Sequence, residues 1–185
     1  MKTPEGVAAI LLAAGRSSRF GGNKLAAALD GIPLVYHSAR ALAEIGFDDL
    51  IVVSSAATPD LSPCGFRAVA APAGNAVLSA SLAAGIEAAA RAGAQAALVA
   101  LGDMPFVPAS HFRALIGAFA LHGEPVSTLV SNQPHPPAIF GKAWFERLTA
   151  LNGDRGAKAL LAGCDTIALA AAQARDIDTP ADLKP

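Results

Sequence analysis

Residues 11–24 read LLAAGRSSRFGGNK. An apolar run gives way there to three glycines, Gly15, Gly21 and Gly22, and to three cations, Arg16, Arg19 and Lys24, with no acid among them. Residues 6–12 have the apolar character of a buried strand, so the glycine loop follows the first strand of the chain. In an open α/β sheet, ligands gather at the carboxyl ends of the strands, which makes this loop the first place to look for a site. Glycine permits conformations and close approaches that a Cβ blocks, and successive free N–H groups can then turn toward phosphate oxygens. Such a loop suits a polyphosphate. A solvated surface loop with scattered basic residues fits the same letters.

Working outward, residues 33–45 predict a helix with Pro33 in its first turn and Gly46 past its end. Strands follow at 49–53 and 66–70, then a helix at 78–92 closed by Gly93 and a fully apolar strand at 96–101. Residues 108–121 again open on proline and stop before Gly123, and 127–130 and 138–140 read as strands. Short helices are expected at 142–151 and 155–161, a last strand at 166–169 and a terminal helical turn at 180–183. The alternation implies right-handed βαβ units: an α/β fold, Rossmann-like, a three-layer α/β/α sandwich around a mostly parallel sheet. With 185 residues and no charged linker or repeat, a single domain over 1–185 is expected.

The chain is 53% apolar, but much of that is alanine, so its positive hydropathy reflects small residues. A net charge of −1 and a pI near 6.4 give no general pull toward nucleic acid or membrane. No apolar run approaches the roughly 18 to 20 residues of a membrane span, and the opening MKTPEGVAAILLAAG lacks the small-residue cleavage site of a signal peptide. A cytoplasmic protein is expected. Cys64 and Cys164 stand alone, without a CxxC or a nearby His pair, which argues against a zinc or iron–sulfur site.

Common phosphate motifs do not fit the opening loop. A Walker A loop needs its lysine directly after glycine and then Ser or Thr, whereas Asn23 precedes Lys24 and Leu25 follows it. The GxGxxG dinucleotide fingerprint is absent. The stretch LAAGRSSRFGGNK instead resembles, nearly residue for residue, the LAAGxSxRMGxxK signature of nucleotidyltransferases that attach a nucleotide to a phosphorylated acceptor, with Phe20 in place of the usual Met. The resemblance implies a nucleotide-diphospho-sugar transferase type of fold and a loop that wraps the base and triphosphate. Arg19 and Lys24 match its phosphate-binding cations. Leu12, Ala13 and Ala14 match the backbone that reads the base, and Gly15, Arg16, Ser17 and Gly21 complete the nucleotide-binding set.

Two further stretches carry carboxylates. LVALGDMPFV, residues 98–107, ends an apolar strand with Asp103, placed to hold Mg²⁺ against a triphosphate or simply to cap a turn. The family's LxDMP pattern implies the metal role. In DIDTPADL, residues 176–183, Thr179, Pro180 and Asp182 read as the start of a helix. By resemblance to the family's DIDTP ending, Asp178 is the first choice for a second metal ligand and Asp176 the second. Mg²⁺ or Mn²⁺ is the expected ion. In APAGNAVLSASLAAG, residues 71–85, Asn75 is a nucleotide-contact candidate, and Ser79 and Ser81 could donate to a phosphate or sugar, although helix capping accounts for Ser79 more simply.

Over essentially its whole length the chain is similar to the MobA-like group, closest to the molybdenum cofactor cytidylyltransferases and their guanylyltransferase cousins. NGDRGAKALL at 152–161 resembles the group's GDxGAxxLL, and HPPAIFG at 135–141 its HPxxF. Guanylyltransferases commonly read LAGG where this chain reads LAAG, and the Ala14 methyl would crowd a purine, so CTP is the expected donor and GTP the alternative. The implied acceptor is molybdopterin, with His135, Asp154 and Arg155 as candidate contacts and a molybdoenzyme or its maturation factor as partner. Gln133 and Pro134 stand where relatives with a molybdopterin acceptor often carry Arg-Gly, which leaves a sugar or alditol phosphate as an alternative acceptor. A non-catalytic cofactor-binding or delivery module would be expected to lose Lys24 or Asp103, and both are present. His37, His111 and His122 read as surface or helix-end histidines, and Trp144 as core.

Overall fold

The computed structural model describes residues 5–15, 20–72, 78–151 and 160–183. Its centre is β1 (Val7–Ala13), in which all seven residues are buried. Successive side chains of a strand point to opposite faces, and β1 divides its residues between two cores accordingly. Ala9, Leu11 and Ala13 face one layer and Ala8, Ile10 and Leu12 the other. Such two-sided burial requires helices on both faces. Helices α1 (Leu34–Ala43) and α3 (Ala109–His122) supply Leu34, Val35, Leu42, Phe112 and Leu115 to the first core. Helices α2 (Leu78–Arg91) and α4 (Phe145–Thr149) supply Leu82, Ile86, Ala89, Phe145 and Leu148 to the second.

The other strands are β2 (Ala28–Leu29), β3 (Ile32–Pro33), β4 (Asp49–Ser54), β5 (Arg67–Ala70), β6 (Ala96–Leu101), β7 (Val126–Val130), β8 (Gln133–Gly141) and β9 (Asp165–Ala168). Seven form one sheet in the order β5-β4-β1-β6-β8-β7-β9. Pairings β5·β4, β4·β1, β1·β6 and β7·β9 are parallel, while β8 runs against both neighbours. The expected three-layer α/β/α architecture with a mostly parallel sheet is therefore the observed one. After β1 the chain builds outward through β4 and β5, then returns to place β6 on β1's other side. That reversal opens a crevice at the carboxyl ends of β1 and β6.

Two hairpins depart from the sequence expectations. β2 and β3 pair across Asp30-Gly31, whose φ values of +50° and +81° make the tight turn that an Asp-Gly pair favours. The second departure is β8, expected as 138–140 but running from Gln133 to Gly141. Pro134, Pro136 and Pro137 argue against a central strand, since proline cannot donate to a ladder. The structure resolves this by division of partners. Only Ala138 to Gly141 pair with β6, and the proline-containing half pairs with β7 alone, across a register shift at Ser127/Thr128. Ser131 and Asn132, at φ +47° and +64°, turn the chain between them.

The helix expected at 142–151 is a 3-10 turn, Lys142–Trp144, followed by the short α4. Most of the helix expected at 155–161 lies outside the described residues. Trp144 is half-buried against Phe140, with the Arg147 guanidinium 5.0 Å from its ring centre.

Candidate active site

Lys24 opens a 3-10 helix, Lys24–Ala26, whose preceding Asn23 accepts from the Ala26 N–H and donates to the Ala57 carbonyl. These bonds pin the backbone of Lys24 at the carboxyl edge of the sheet. Its side chain turns inward and the residue is only 8% exposed. A buried ammonium needs partners, and among the described residues Nζ has two: Asp103 Oδ2 at 2.9 Å and Asp178 Oδ1 at 3.1 Å. Burial works against the charge on Lys24, but the hydrogen bonds and charges of the two carboxylates outweigh it and hold its pKa above the ordinary lysine value.

Asp103 follows β6 on a loop fixed from several sides. Gly102 donates its N–H to the Leu12 carbonyl at 2.9 Å, and a Cβ there would sit 3.3 Å from that oxygen and 3.2 Å from Val35 Cγ2. Ser38 of α1 donates its hydroxyl to the Met104 carbonyl at 3.1 Å. The Asp103 carbonyl accepts the Ile177 N–H at 2.9 Å. Ile177, fully buried, is the anchor of the 176–183 segment. Alternation puts its two acidic neighbours on the opposite side: Asp178 reaches Lys24, while Asp176 is exposed and joins no ion pair found among the described residues. Asp182 holds the turn through one oxygen, Oδ2, which accepts the N–H groups of Asp178 and Thr179 and the Thr179 hydroxyl. Thr179 directly precedes the Pro180–Leu183 turn, and its N–H donated to the carboxylate three residues on is the reach-back half of a capping box.

Lys24 and Asp103 line a cleft together with Leu12, Ala13, Ala14 and Gly15 at the end of β1, Leu101 of β6, and Leu78 and Ser81 of α2. Thr58 donates to the Ala13 carbonyl at 2.7 Å and fixes the β1 end. Among the described residues, chain neighbours aside, no atom lies within 4 Å of where a Gly15 Cβ would stand. Gly21 has φ +75°, a conformation that glycine adopts without strain.

Of the sequence candidates, the structure gathers Lys24, Asp103 and Asp178 and sets Leu12, Ala13, Ala14 and Gly15 beside them. Ser79 is buried in α2 and does not line the cleft, whereas Ser81 does. One helical turn separates Leu78 from Ser81, so those two share a face that Ser79 leaves. Exposed His135 lies on β8 and is not part of the cleft. Arg16, Ser17, Arg19, Asn75, Asp154 and Arg155 lie outside the described residues. His111, expected at the surface or at a helix end, lies in the first turn of α3 and is buried. Its Nε2 lies 2.8 Å from Thr128 Oγ1, which itself donates to the Pro137 carbonyl at 2.7 Å, so Nε2 carries the proton.

Chemically, two carboxylates from distant segments meet at one cation beside a cleft with a glycine-containing wall. Such hard oxygens suit Mg²⁺ or Mn²⁺ as well as an ammonium. Among the described residues no cluster of three or more His, Cys, Asp or Glu gathers for a metal held by protein alone. No described helix is long and apolar enough to cross a membrane.

Comparison with known proteins bears on the family and the fold. Residues 9–173 match the model of the MobA-like NTP transferase domain. The purine catabolism protein PucB of Bacillus subtilis (strain 168) is 30% identical over 193 residues, which cover 92% of this chain and 91% of PucB. Among solved structures, Rv0371c from Mycobacterium tuberculosis H37Rv superposes with a TM-score of 0.77 at 22% identity, over 95% of this chain and 94% of that one. A manganese complex of the same protein superposes at 0.65 and 20% identity, over 89% and 87%. A nucleotidyl transferase from Methanothermobacter thermautotroptrophicus gives 0.72 at 22% identity, over 95% and 93%.

Proposed function

The chain belongs to the family of MobA-like NTP transferase domains, and we propose that it moves CMP from CTP to a phosphorylated acceptor, molybdopterin, with release of pyrophosphate. The observation that carries this reading is the meeting of Lys24, Asp103 and Asp178 beside the end of β1. An oxygen of the acceptor's terminal phosphate attacks the α-phosphorus of the nucleotide. The new P–O bond forms as the bond to the α,β-bridging oxygen breaks, and pyrophosphate departs in line. No protein nucleophile is needed, so catalysis reduces to positioning and charge.

Asp103 and Asp178 are the residues that would hold Mg²⁺ or Mn²⁺, with the remaining positions left to water and phosphate oxygens. An ion held there would supply positive charge against the phosphates. Lys24 and Arg19 stabilise the charge that develops on the phosphates. Leu12, Ala13, Ala14 and Gly15 read the base, with Leu78 and Ser81 on the facing wall. Asp178 rather than exposed Asp176 is the second carboxylate. Ala14 is buried and lines the cleft, and a methyl there would crowd a purine, which favours a pyrimidine donor. The unit is one catalytic domain of the cytoplasm.

One observation favours a sugar or alditol phosphate as acceptor instead. β8 begins with exposed Gln133 and runs through Pro134, His135, Pro136 and Pro137 without a Lys or Arg to meet a pterin's phosphate. Pyrophosphate release with Mg²⁺ or Mn²⁺, across CTP, GTP, ATP and UTP and with each acceptor class, tests both readings. CTP with molybdopterin is the expected pair. Turnover with GTP alone overturns the Ala14 argument, and turnover only with alditol phosphate selects the second acceptor.

A further inference from the structure

We propose that Lys24 is the resident counter-ion of the metal site: it competes with the divalent cation for Asp103 and Asp178 and yields them when a triphosphate takes over its ammonium. The inference rests on the reading of the cleft as a metal–nucleotide site. Nζ holds the carboxylate oxygens that would ligate the metal, at 2.9 and 3.1 Å. A dication between those oxygens would stand against the ammonium in a partly dry site, where like charges repel far more strongly than in water. The backbone of Lys24 cannot withdraw, because Asn23 ties its helix to Ala26 and Ala57. The stem can swing, however, and the space open to it is the cleft lined by Leu12 to Gly15, where the triphosphate would lie.

Lys24 therefore offsets one of the two negative charges, occupies an oxygen of each acid and suppresses metal binding until nucleotide arrives. Metal and nucleotide raise each other's affinity, as linkage between sites requires. A lysine serving only the phosphates would leave the affinity for metal alone unchanged on its removal; a counter-ion would raise it.

Mn²⁺ binding, followed by loss of the free-ion electron paramagnetic resonance signal, separates the two. Without nucleotide, K24M is expected to bind Mn²⁺ at least tenfold more tightly than the unaltered protein. K24R, which keeps the charge, should stay within about threefold of it. K24M affinity equal to or below that of the unaltered protein overturns the proposal. Thermal melts by circular dichroism establish that the variants fold. A second arm uses the unaltered protein: saturating Mn²⁺ without nucleotide should free the ammonium and raise Lys24 acetylation by acetic anhydride at least threefold, read by peptide mass spectrometry. An unchanged rate overturns the proposal as well. If pyrophosphate release proceeds while K24M binds Mn²⁺ no more tightly, this inference alone fails. If no NTP is turned over and D103N binds Mn²⁺ as well as the unaltered protein, the functional reading fails with it.

Discussion

Gly85 and Gly117 both lie inside helices, and the same change to alanine should move stability in opposite directions. At Gly85, in α2, an added Cβ would stand 2.6 Å from Ile10 Cγ2 and 3.0 Å from Val53 Cγ2. Carbon atoms pack best at roughly 3.5 to 4.0 Å, and both neighbours are β-branched, fully buried and stiff at χ1. The helix must lift from the sheet by about 1 Å. Forcing a methyl into a packed core costs about 1–3 kcal/mol, while alanine returns about 0.8–1.0 kcal/mol of helix propensity. Gly85→Ala should thus cost up to about 2 kcal/mol. At exposed Gly117, in α3, a Cβ meets nothing within 4 Å, so only the propensity gain of about 1 kcal/mol remains. Urea unfolding by circular dichroism, extrapolated linearly, resolves the difference. Because α2 also carries Leu78 and Ser81, Gly85→Ala should raise KM for the nucleotide and Gly117→Ala should not. Equal stabilisation by both would refute the close seating of α2 on β1.

At the site itself, Asp103→Asn and Lys24→Met should each lower pyrophosphate release on the order of 10² to 10³-fold with far-ultraviolet circular dichroism unchanged; near-normal rates in either would remove that residue from the chemistry. Asp182→Ala should lower kcat through Asp178 while the sheet stays folded, and a loss confined to thermal stability would make Asp182 merely a capping residue. Burial holds the pKa of His111 below the usual 6.5, so the unfolded chain takes up its proton first as the pH falls. The stability that neutral His111 contributes is complete above pH 6.5 and is lost as acidity increases toward its folded value. Urea midpoints between pH 7.5 and 5 should fall less steeply in His111→Gln, and parallel slopes would refute this account.

Elements set by their own local pattern were legible in the sequence. β1 and β6 are continuous apolar runs, and α2 and α3 end on glycines at φ +86° and +71°. Elements that depend on partners were not. The β8 prolines mislead because only the fold reveals which half of the strand faces β6. His111 reads as a surface or helix-end residue, and only Thr128, brought under it by the fold, shows that this helix end is buried. The β2–β3 hairpin, by contrast, left a readable signal, Asp30-Gly31 between Leu29 and Ile32, of the kind that marks tight hairpins. Within the site, the separate stretches announced Lys24, Asp103 and Asp178 one by one. Nothing local announced that one ammonium joins both acids, since those contacts span 79 and 154 residues. Ser81 was distinguishable from Ser79 once Leu78 was placed, for helical spacing pairs 78 with 81.

The clip from the Ile177 N–H to the Asp103 carbonyl also bears on how the protein matures. A ribosome that has delivered β1, β6 and their helices has made most of the sheet, yet the nascent chain then holds Lys24 and Asp103 without Asp178. Competence arrives with the segment around Ile177, synthesised more than 150 residues after Lys24. A chain trimmed before that segment could not complete the constellation. Activity would therefore report on synthesis through that segment in a way that secondary structure does not.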